Sequence, residues 1–351
     1  MKLTIGIPIY NAEKYIGRCL ESVVELEGII DYEILCIDDG STDGSCSIIS
    51  KYAERCKRIR LIKTENTGAF LARSRIIDEA QGDWIGFVDA DDTVDKNMYC
   101  RMLLEAEQYE HVDMVVCAFN KIDSQSGKIE EVQMNSYGNR IVDFTRNPED
   151  RGILIAVNPA YWNKIYRREK ILNRLKLDYS PKIMEDYIFF ASIVSNLDGV
   201  AFVEDALYNY YDVDKSVTKQ IGKKELDDSE KALGELNRYL EKQSQFNRDE
   251  NIKNLISLMS CIHLGIAFTI NWNDFSEICR VTDVYKNTKY YIDNLFPYWW
   301  RSNYLKLSYI RERPQLRKMF IACRLYNSVL WPIAVKGYKL MCKIVGNDLK
   351  W

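Results

Sequence analysis

Strand-like and helix-like segments alternate through the first ninety residues, and this alternation restricts the fold more than any other feature of the chain. "LTIGIPIY" is a short Ile-rich run that carries Pro8 near its end and is followed by Asn11. "YEILCID", "IRLIK" and "WIGFVD" are of the same type. Short apolar runs bounded by turn residues read as buried strands. Between the first two runs, Ile16, Cys19, Leu20 and Val23 recur at helical spacing over Ala12 to Leu26, with Asn11 as the expected N-cap. Asp43 is expected to cap a second helix carrying Ile48, Ile49, Tyr52 and Cys56, and Ala69 to Ala80 reads as a third. The order β-α-β-α-β-α-β predicts a mostly parallel, Rossmann-like sheet with helices on both faces. In such sheets ligands bind beyond the carboxyl ends of the strands.

Those ends are "PIYN", "IDDGSTDGS", "KTENTG" and "VDADD", and the unusual polar residues fall there together. Asp89, Asp91 and Asp92 lie within four residues, and like charges this close repel and resist burial. Carboxylates in an open strand-end loop are hard oxygen ligands for Mg²⁺ or Mn²⁺, which usually bridge to phosphates. The loop therefore predicts a metal–diphosphate site at Asp89, Ala90, Asp91 and Asp92. Asp83 sits at the other end of the same strand and reads as a turn residue. In the second loop, small residues allow close backbone approach, and Asp38 and Asp39 can accept hydrogen bonds from a base or ribose. In the third, Gly68 permits close approach, and Arg73 either neutralises a phosphate or makes a surface ion pair.

The middle of the chain is less regular. "VDMVVCAFNKI" reads as a strand, "YGNRIVDF" as part of a hairpin and "VAFVEDALYNYY" as two short strands. "IMEDYIFFASIVSN" reads as a buried helix opened by Glu185 and Asp186. From about Gly222 the sequence becomes charged and helix-favouring. This predicts an α/β domain over 1–220 and a helical region over 221–351. The apolar stretch Asn254 to Ile270 is short for a membrane span and carries polar breaks, so a core helix is expected. Arg313 to Gly346 contains no Asp or Glu, and its basic residues interleave with Phe, Tyr, Leu and Trp; Pro332 is expected to break the helix. That pattern suits an anionic membrane surface, or a helix packed on the protein with a solvated basic face.

Bulk properties exclude several function classes. With 351 residues and 47% hydrophobic content the chain can bury one large core or two modest ones. A formal charge of −3 is too balanced to point to nucleic acid. Two histidines leave little room for His-ligated zinc or a His-based triad. Ten cysteines without a CxxC pair, and an opening "KLTIGIPIY" without a charged-then-apolar leader, fit reduced thiols in a cytoplasmic protein.

"IPIYNAEKYI", "IDDGSTDGS", "NTGAFLARSR" and "GFVDADD", in this order and spacing, closely resemble family 2 glycosyltransferases of the GT-A fold. "WNKIYRREKI", "MEDYIFF" and "YNYYDVDKSVT" resemble further blocks of its bacterial polysaccharide branch, so the resemblance covers roughly residues 3 to 220. It implies an inverting transferase using a nucleotide-diphospho-sugar, often UDP-linked, with Mn²⁺ or Mg²⁺. By motif, Pro8, Tyr10 and Asp39 would frame the base, with Asn11, Asp38, Asn66, Gly68 and Arg73 in the same binding loops. Asp91 would ligate the metal, Asp89 would sit near the ribose and metal, and Asp92 would orient the pair or approach the donor sugar. Asp186, with Glu185 beside it, would supply the catalytic base, and Asn163 and Lys164 would lie near donor or acceptor. The implied acceptor is a glycan or lipid-linked saccharide, handled in the cytoplasm or peripherally on the inner face of a bacterial plasma membrane; a homo-oligomer is left open. Many relatives carry an Arg after "YNY", where this chain has Tyr211 and Asp212, and Lys215 is the substitute considered. Two other readings have a footing. One is a non-catalytic glycan-binding protein. The other is an Asp-x-Asp-x-Thr phosphatase, whose nucleophile loop normally ends the first strand rather than the fourth.

Overall fold

The computed structural model describes residues 1–29, 31–134, 141–212, 223–272, 278–297 and 299–345. They form two compact units. The first comprises Met1–Asp150, Val157–Ser180 and Ser192–Asp214; the second comprises Arg151–Ala156, Pro181–Ala191 and the described part of Lys215–Trp351.

In the first unit the elements are β1 (Leu3–Ile9), α1 (Ile16–Val24), β2 (Tyr32–Asp39), α2 (Ser45–Arg55), β3 (Ile59–Thr64), α3 (Ala69–Glu79), β4 (Trp84–Phe87), β5 (Thr93–Val94), α4 (Met98–Glu107), β6 (Met114–Asp123), β7 (Ile129–Val132), β8 (Ile141–Asp143), β9 (Lys164–Arg167) and α5 (Arg168–Ile171). After α6 (Glu185–Ile193), which begins in the second unit, the chain returns as β10 (Gly199–Asp212). The sheet order is β3-β2-β1-β4-β9-β6-β10-β5, with β7 on β6 and β8 on β10. β3, β2, β1 and β4 pair in parallel, as do β6 and β10. Helices cover both faces. A Cβ on Gly6 would lie 2.2 Å from Ile76 of α3, and one on Gly86 would lie 2.5 Å from the Tyr99 ring of α4. Gly86 is in register with Ile5, so these two glycines face opposite sides of the sheet.

Two features depart from the simple alternation. β9 is inserted antiparallel between β4 and β6, so its first residues lie at the carboxyl end of β4, while Lys164 pairs with Val116 early in β6. "VAFVEDALYNYY" is not two strands but one, pairing with β6 along its length with register shifts between Val203 and Ala206 and between Ala206 and Tyr208. Glu204 and Asp205 look like a turn in sequence, but the chain bulges there and the ladder resumes.

The second unit contains the start of α6, then α7 (Lys223–Glu241), α8 (Ser244–Arg248), α9 (Glu250–Ser260), a π-helical turn (Cys261–Ile266), α10 (Ala267–Asn271), α11 (Ile278–Leu295), α12 (Leu307–Arg311), α13 (Arg317–Tyr326) and α14 (Trp331–Val345). Glu250–Asn271 is one helical run of 22 residues. By length and composition it reaches what a membrane span requires, so the expectation of a short segment understated it. Most of it is nevertheless buried against the protein. The Tyr187 hydroxyl bonds Ser260 Oγ at 2.6 Å and the Ile256 carbonyl at 3.2 Å, and Trp331 Nε1 donates to Thr269 Oγ1 at 2.8 Å. Pro332 does not break a helix but sits in the first turn of α14, where its missing N–H costs nothing.

Candidate functional site

The loops after the parallel strands are tied to one another by side chains. After β1 the backbone turns at Asn11 with φ of 50°. Asn11 is therefore not the N-cap of α1: its N–H donates to Ser41 Oγ at 3.0 Å, and its side-chain oxygen accepts from Thr42 N at 2.8 Å. Asp43 takes Glu13 N at 3.0 Å and Ser45 N at 3.0 Å, so one carboxylate caps the first turn of α2 and holds the neighbouring loop. Asp38 is buried and accepts from Ser41 N at 3.1 Å.

Asp39 holds the loop between β3 and α3. Its Oδ1 accepts from Thr67 N and Thr67 Oγ1, both at 2.9 Å, and its Oδ2 accepts from Gly68 N at 2.7 Å. Gly68 has φ of 93°, and a Cβ there would lie 2.5 Å from Ser180 Cβ, so the turn needs glycine on two counts. Asn66 is exposed on the same loop. Tyr10, 52% exposed, projects from the end of β1 beyond the partly buried Pro8.

The three acids of "VDADD" have three different surroundings. Asp89 receives Arg73 at 2.7 Å. Arg73 is buried and lies over the Tyr161 ring at 4.9 Å, so it is an internal ion pair and not a surface one. Ala90 is buried between the acids. Asp92 is 1% exposed. Its Oδ2 accepts the Tyr208 hydroxyl at 2.7 Å and its Oδ1 accepts Tyr211 N at 2.9 Å, while the Tyr208 oxygen accepts Asp89 N at 3.1 Å. Burial pushes the Asp92 carboxyl well above the usual range. The Asp89 and Asp91 charges push it further, and the Tyr211 and Tyr208 bonds oppose them. Asp92 thereby ties the acidic loop to β10. Asp91 stays partly exposed. Burial raises its carboxyl first and Asp89 second, and Arg18 binds its backbone carbonyl.

Arg18 and Tyr208 are the residues the sequence reading missed as individuals. Arg18 is a lone helix cation with no motif around it, yet it lies 3.7 Å over the Tyr211 ring and bonds the acidic loop. Tyr208 stood in the quoted "YNYY" block without a role. Lys215 lies outside the described residues.

Asn163 and Lys164 open β9 at the same edge as the acids, but both are fully buried. Asn163 Nδ2 donates to the Cys117 carbonyl at 2.7 Å, and Lys164 Nζ donates to the Ala160 carbonyl at 2.9 Å and to Asn163 Oδ1 at 2.8 Å. Glu185 and Asp186 open α6 in the second unit, directly after Met184. Among the described residues, the non-glycine positions of positive φ are Asn11, Asn163 and Met184. Each lies in one of the quoted blocks. Asn enters this region readily, whereas Met does so at about 1–2 kcal/mol, and strain of this kind concentrates at functional sites.

A divalent ion fits this donor set. Asp91 offers hard carboxylate oxygens whose charge is disfavoured by burial and by Asp89, and a cation relieves both effects. Among the described residues no group of three or more His, Cys, Asp or Glu forms a protein cage. Such an ion would take its remaining oxygens from phosphates or water.

Residues 4–173 match the family model described as Glycosyl transferase family 2. The chain is 33% identical over 221 residues to the uncharacterized glycosyltransferase EpsJ of Bacillus subtilis, covering 62% of this chain and 63% of that one. It is 30% identical over 226 residues to the uncharacterized glycosyltransferase YibD of Escherichia coli, again 62% and 63%. The match thus spans under two thirds of either relative's length. Among solved structures, S. aureus TarS 1–349 in complex with UDP-GlcNAc superposes with a TM-score of 0.67 at 18% identity, covering 97% of this chain and 92% of that one. At that identity the likeness establishes the fold, which is the expected mixed α/β architecture with a helical C-terminal region.

Proposed function

We propose that the chain is an inverting, metal-dependent glycosyltransferase, a reading supported by the match of residues 4–173 to the family model described as Glycosyl transferase family 2. It moves a sugar from a nucleotide-diphospho-sugar to a hydroxyl of a glycan or lipid-linked saccharide in cell-surface glycan synthesis. UDP-sugars come first as donors because TarS, of like fold, binds UDP-GlcNAc. The observation that carries the reading is the uneven setting of the acid trio. Asp92 is locked by Tyr208 and Tyr211, Asp89 is paired with Arg73, and Asp91 remains partly exposed with its charge disfavoured.

In this reading Tyr10 and Pro8 flank the base, and Asp39 holds the loop that includes Asn66 and Gly68. Asp92 and Arg73 fix the acidic loop, and Asn163 and Lys164 stiffen the strand end beside it. Asp186, assisted by Glu185, takes the proton from the acceptor hydroxyl. The acceptor oxygen attacks the anomeric carbon from the face opposite the diphosphate, so configuration inverts. A divalent ion held by Asp91, with Asp89 beside it, would neutralise charge on the departing diphosphate.

The test is a set of labelled UDP-sugars offered to the full chain with and without Mn²⁺, reading thermal stabilisation and glycan product. Asp91→Ala is expected to lose the Mn²⁺-dependent stabilisation by UDP, while its metal-free Tm stays equal or rises because repulsion is relieved. An Asp91→Ala variant that keeps Mn²⁺-dependent stabilisation would refute the metal assignment.

A further inference from the structure

The segment from Arg313 to Gly346 carries no carboxylate, and large apolar side chains are exposed within its described part. Val329 is 86% exposed in the turn before α14, with Leu330 beside it. On α14, Ile333 (66% exposed), Leu340 (61% exposed) and Met341 recur at i, i+7 and i+8, with Gly337 between them, so they form one stripe. The opposite face of the helix is already used. Trp331 and Val335 are buried, and Lys339 Nζ donates to the Trp272 carbonyl at 2.7 Å. An ordinary surface helix has one apolar face, whereas α14 has a second one that points to solvent.

The charged side chains of this segment are of one sign. Lys336 is exposed on α14, and Arg317 and Lys318 are exposed at the start of α13. A second copy docking through the same stripe in a two-fold contact would bring these cations toward their own images, and the segment has no acid to pair them. A bilayer with anionic headgroups supplies apolar depth and the opposite charge together.

We propose that α14 and the turn before it dock on an anionic phospholipid bilayer, with Val329, Leu330, Ile333, Leu340 and Met341 entering the headgroup–acyl boundary, Lys336 beside them at the headgroups, and Arg317 and Lys318 adding to the positive charge of the segment. The helix lies in the membrane plane and does not cross it. This docking stands independently of the transfer reaction, and its test reads no activity.

The full chain is floated with vesicles of phosphatidylglycerol and phosphatidylcholine, and with vesicles of phosphatidylcholine alone. Flotation is expected with the first, weakened at high salt, and at least tenfold less with the second. Val329→Asp/Ile333→Asp should lower partitioning at least tenfold with an unchanged Tm, since both side chains are exposed. Lys336→Glu should lower it several-fold on anionic vesicles only, because each cation near such a surface contributes about fivefold. Wild-type protein that does not float, or the double Asp variant floating as well as wild type, overturns the proposal. Sedimentation that shows a dimer lost in the double variant, without flotation, assigns the stripe to a second copy instead and also overturns it.

Discussion

Replacing Tyr208 by Phe removes one oxygen atom and leaves two acids without their shared partner. The Tyr208 hydroxyl donates to Asp92 Oδ2 at 2.7 Å and accepts Asp89 N at 3.1 Å, and the ring is fully buried. A hydrogen bond to a buried charge is worth about 1.5–3 kcal/mol, and an orphaned buried N–H costs about 1–3 kcal/mol. Asp89 is 24% exposed, so water can relieve part of the second penalty. The expected loss is about 2–4 kcal/mol by denaturant unfolding. Its pH dependence is the sharper signature. The Asp92 carboxyl is raised in the folded protein, so the folded state holds its proton where the unfolded chain has released it, and stability falls as pH rises from the ordinary value of 3.8 through the raised one. Tyr208→Phe removes a bond that opposes this rise, so the window extends upward. The difference between variant and wild type should therefore be largest at neutral pH and shrink toward pH 4. A loss below about 0.5 kcal/mol, or one that does not vary with pH, would refute the account of this loop.

Other expectations follow from the same structure. Asp186→Asn should leave UDP binding intact and abolish transfer; retained transfer would remove Asp186 as the base. Gly68→Ala should cost at least about 1–2 kcal/mol through its positive φ, and Ser180→Gly in the same chain should recover only the part due to the close contact. Burial holds His263, stacked on Tyr187 at 4.7 Å, down to about 4, so it contributes stability above its ordinary 6.5 that is lost as pH falls toward 4. Thermal unfolding of His263→Phe across that range should show a flatter acid limb, and an unchanged limb would count against it.

The strands and helices up to β4 were legible because each strand is a short run rich in apolar residues and bounded by turn residues, although β3, expected to be buried, lies at the sheet edge and is mostly half-buried. The acids of the site were legible because they fall at those ends. What the sequence could not show was pairing at long range. Nothing near Asp92 announces that Tyr208 and Tyr211 will enclose it, since they lie 116 and 119 residues further along the chain. β5 is two residues long and has no periodicity to read. Glu204-Asp205 imitates a turn because charged pairs are common there, and only the ladder to β6 reveals a bulge. Asn11 imitates an N-cap for a similar reason: the same short polar side chain that caps helices also tolerates left-handed backbone.

The lock on the acidic loop also sets an order of events. β1 to β4 and their acids are complete by Asp92, but the hydroxyl and the amide that fix Asp92 arrive with β10, on which β5 also pairs. A chain leaving the ribosome thus carries Asp92 long before it can hold that carboxyl in place. A fragment ending before residue 200 has every carboxylate of "VDADD", with Arg73 and Arg18 beside them, but lacks the hydroxyl and the amide that fix Asp92. The acidic loop of the growing chain reaches its final arrangement only when its first unit is almost fully made.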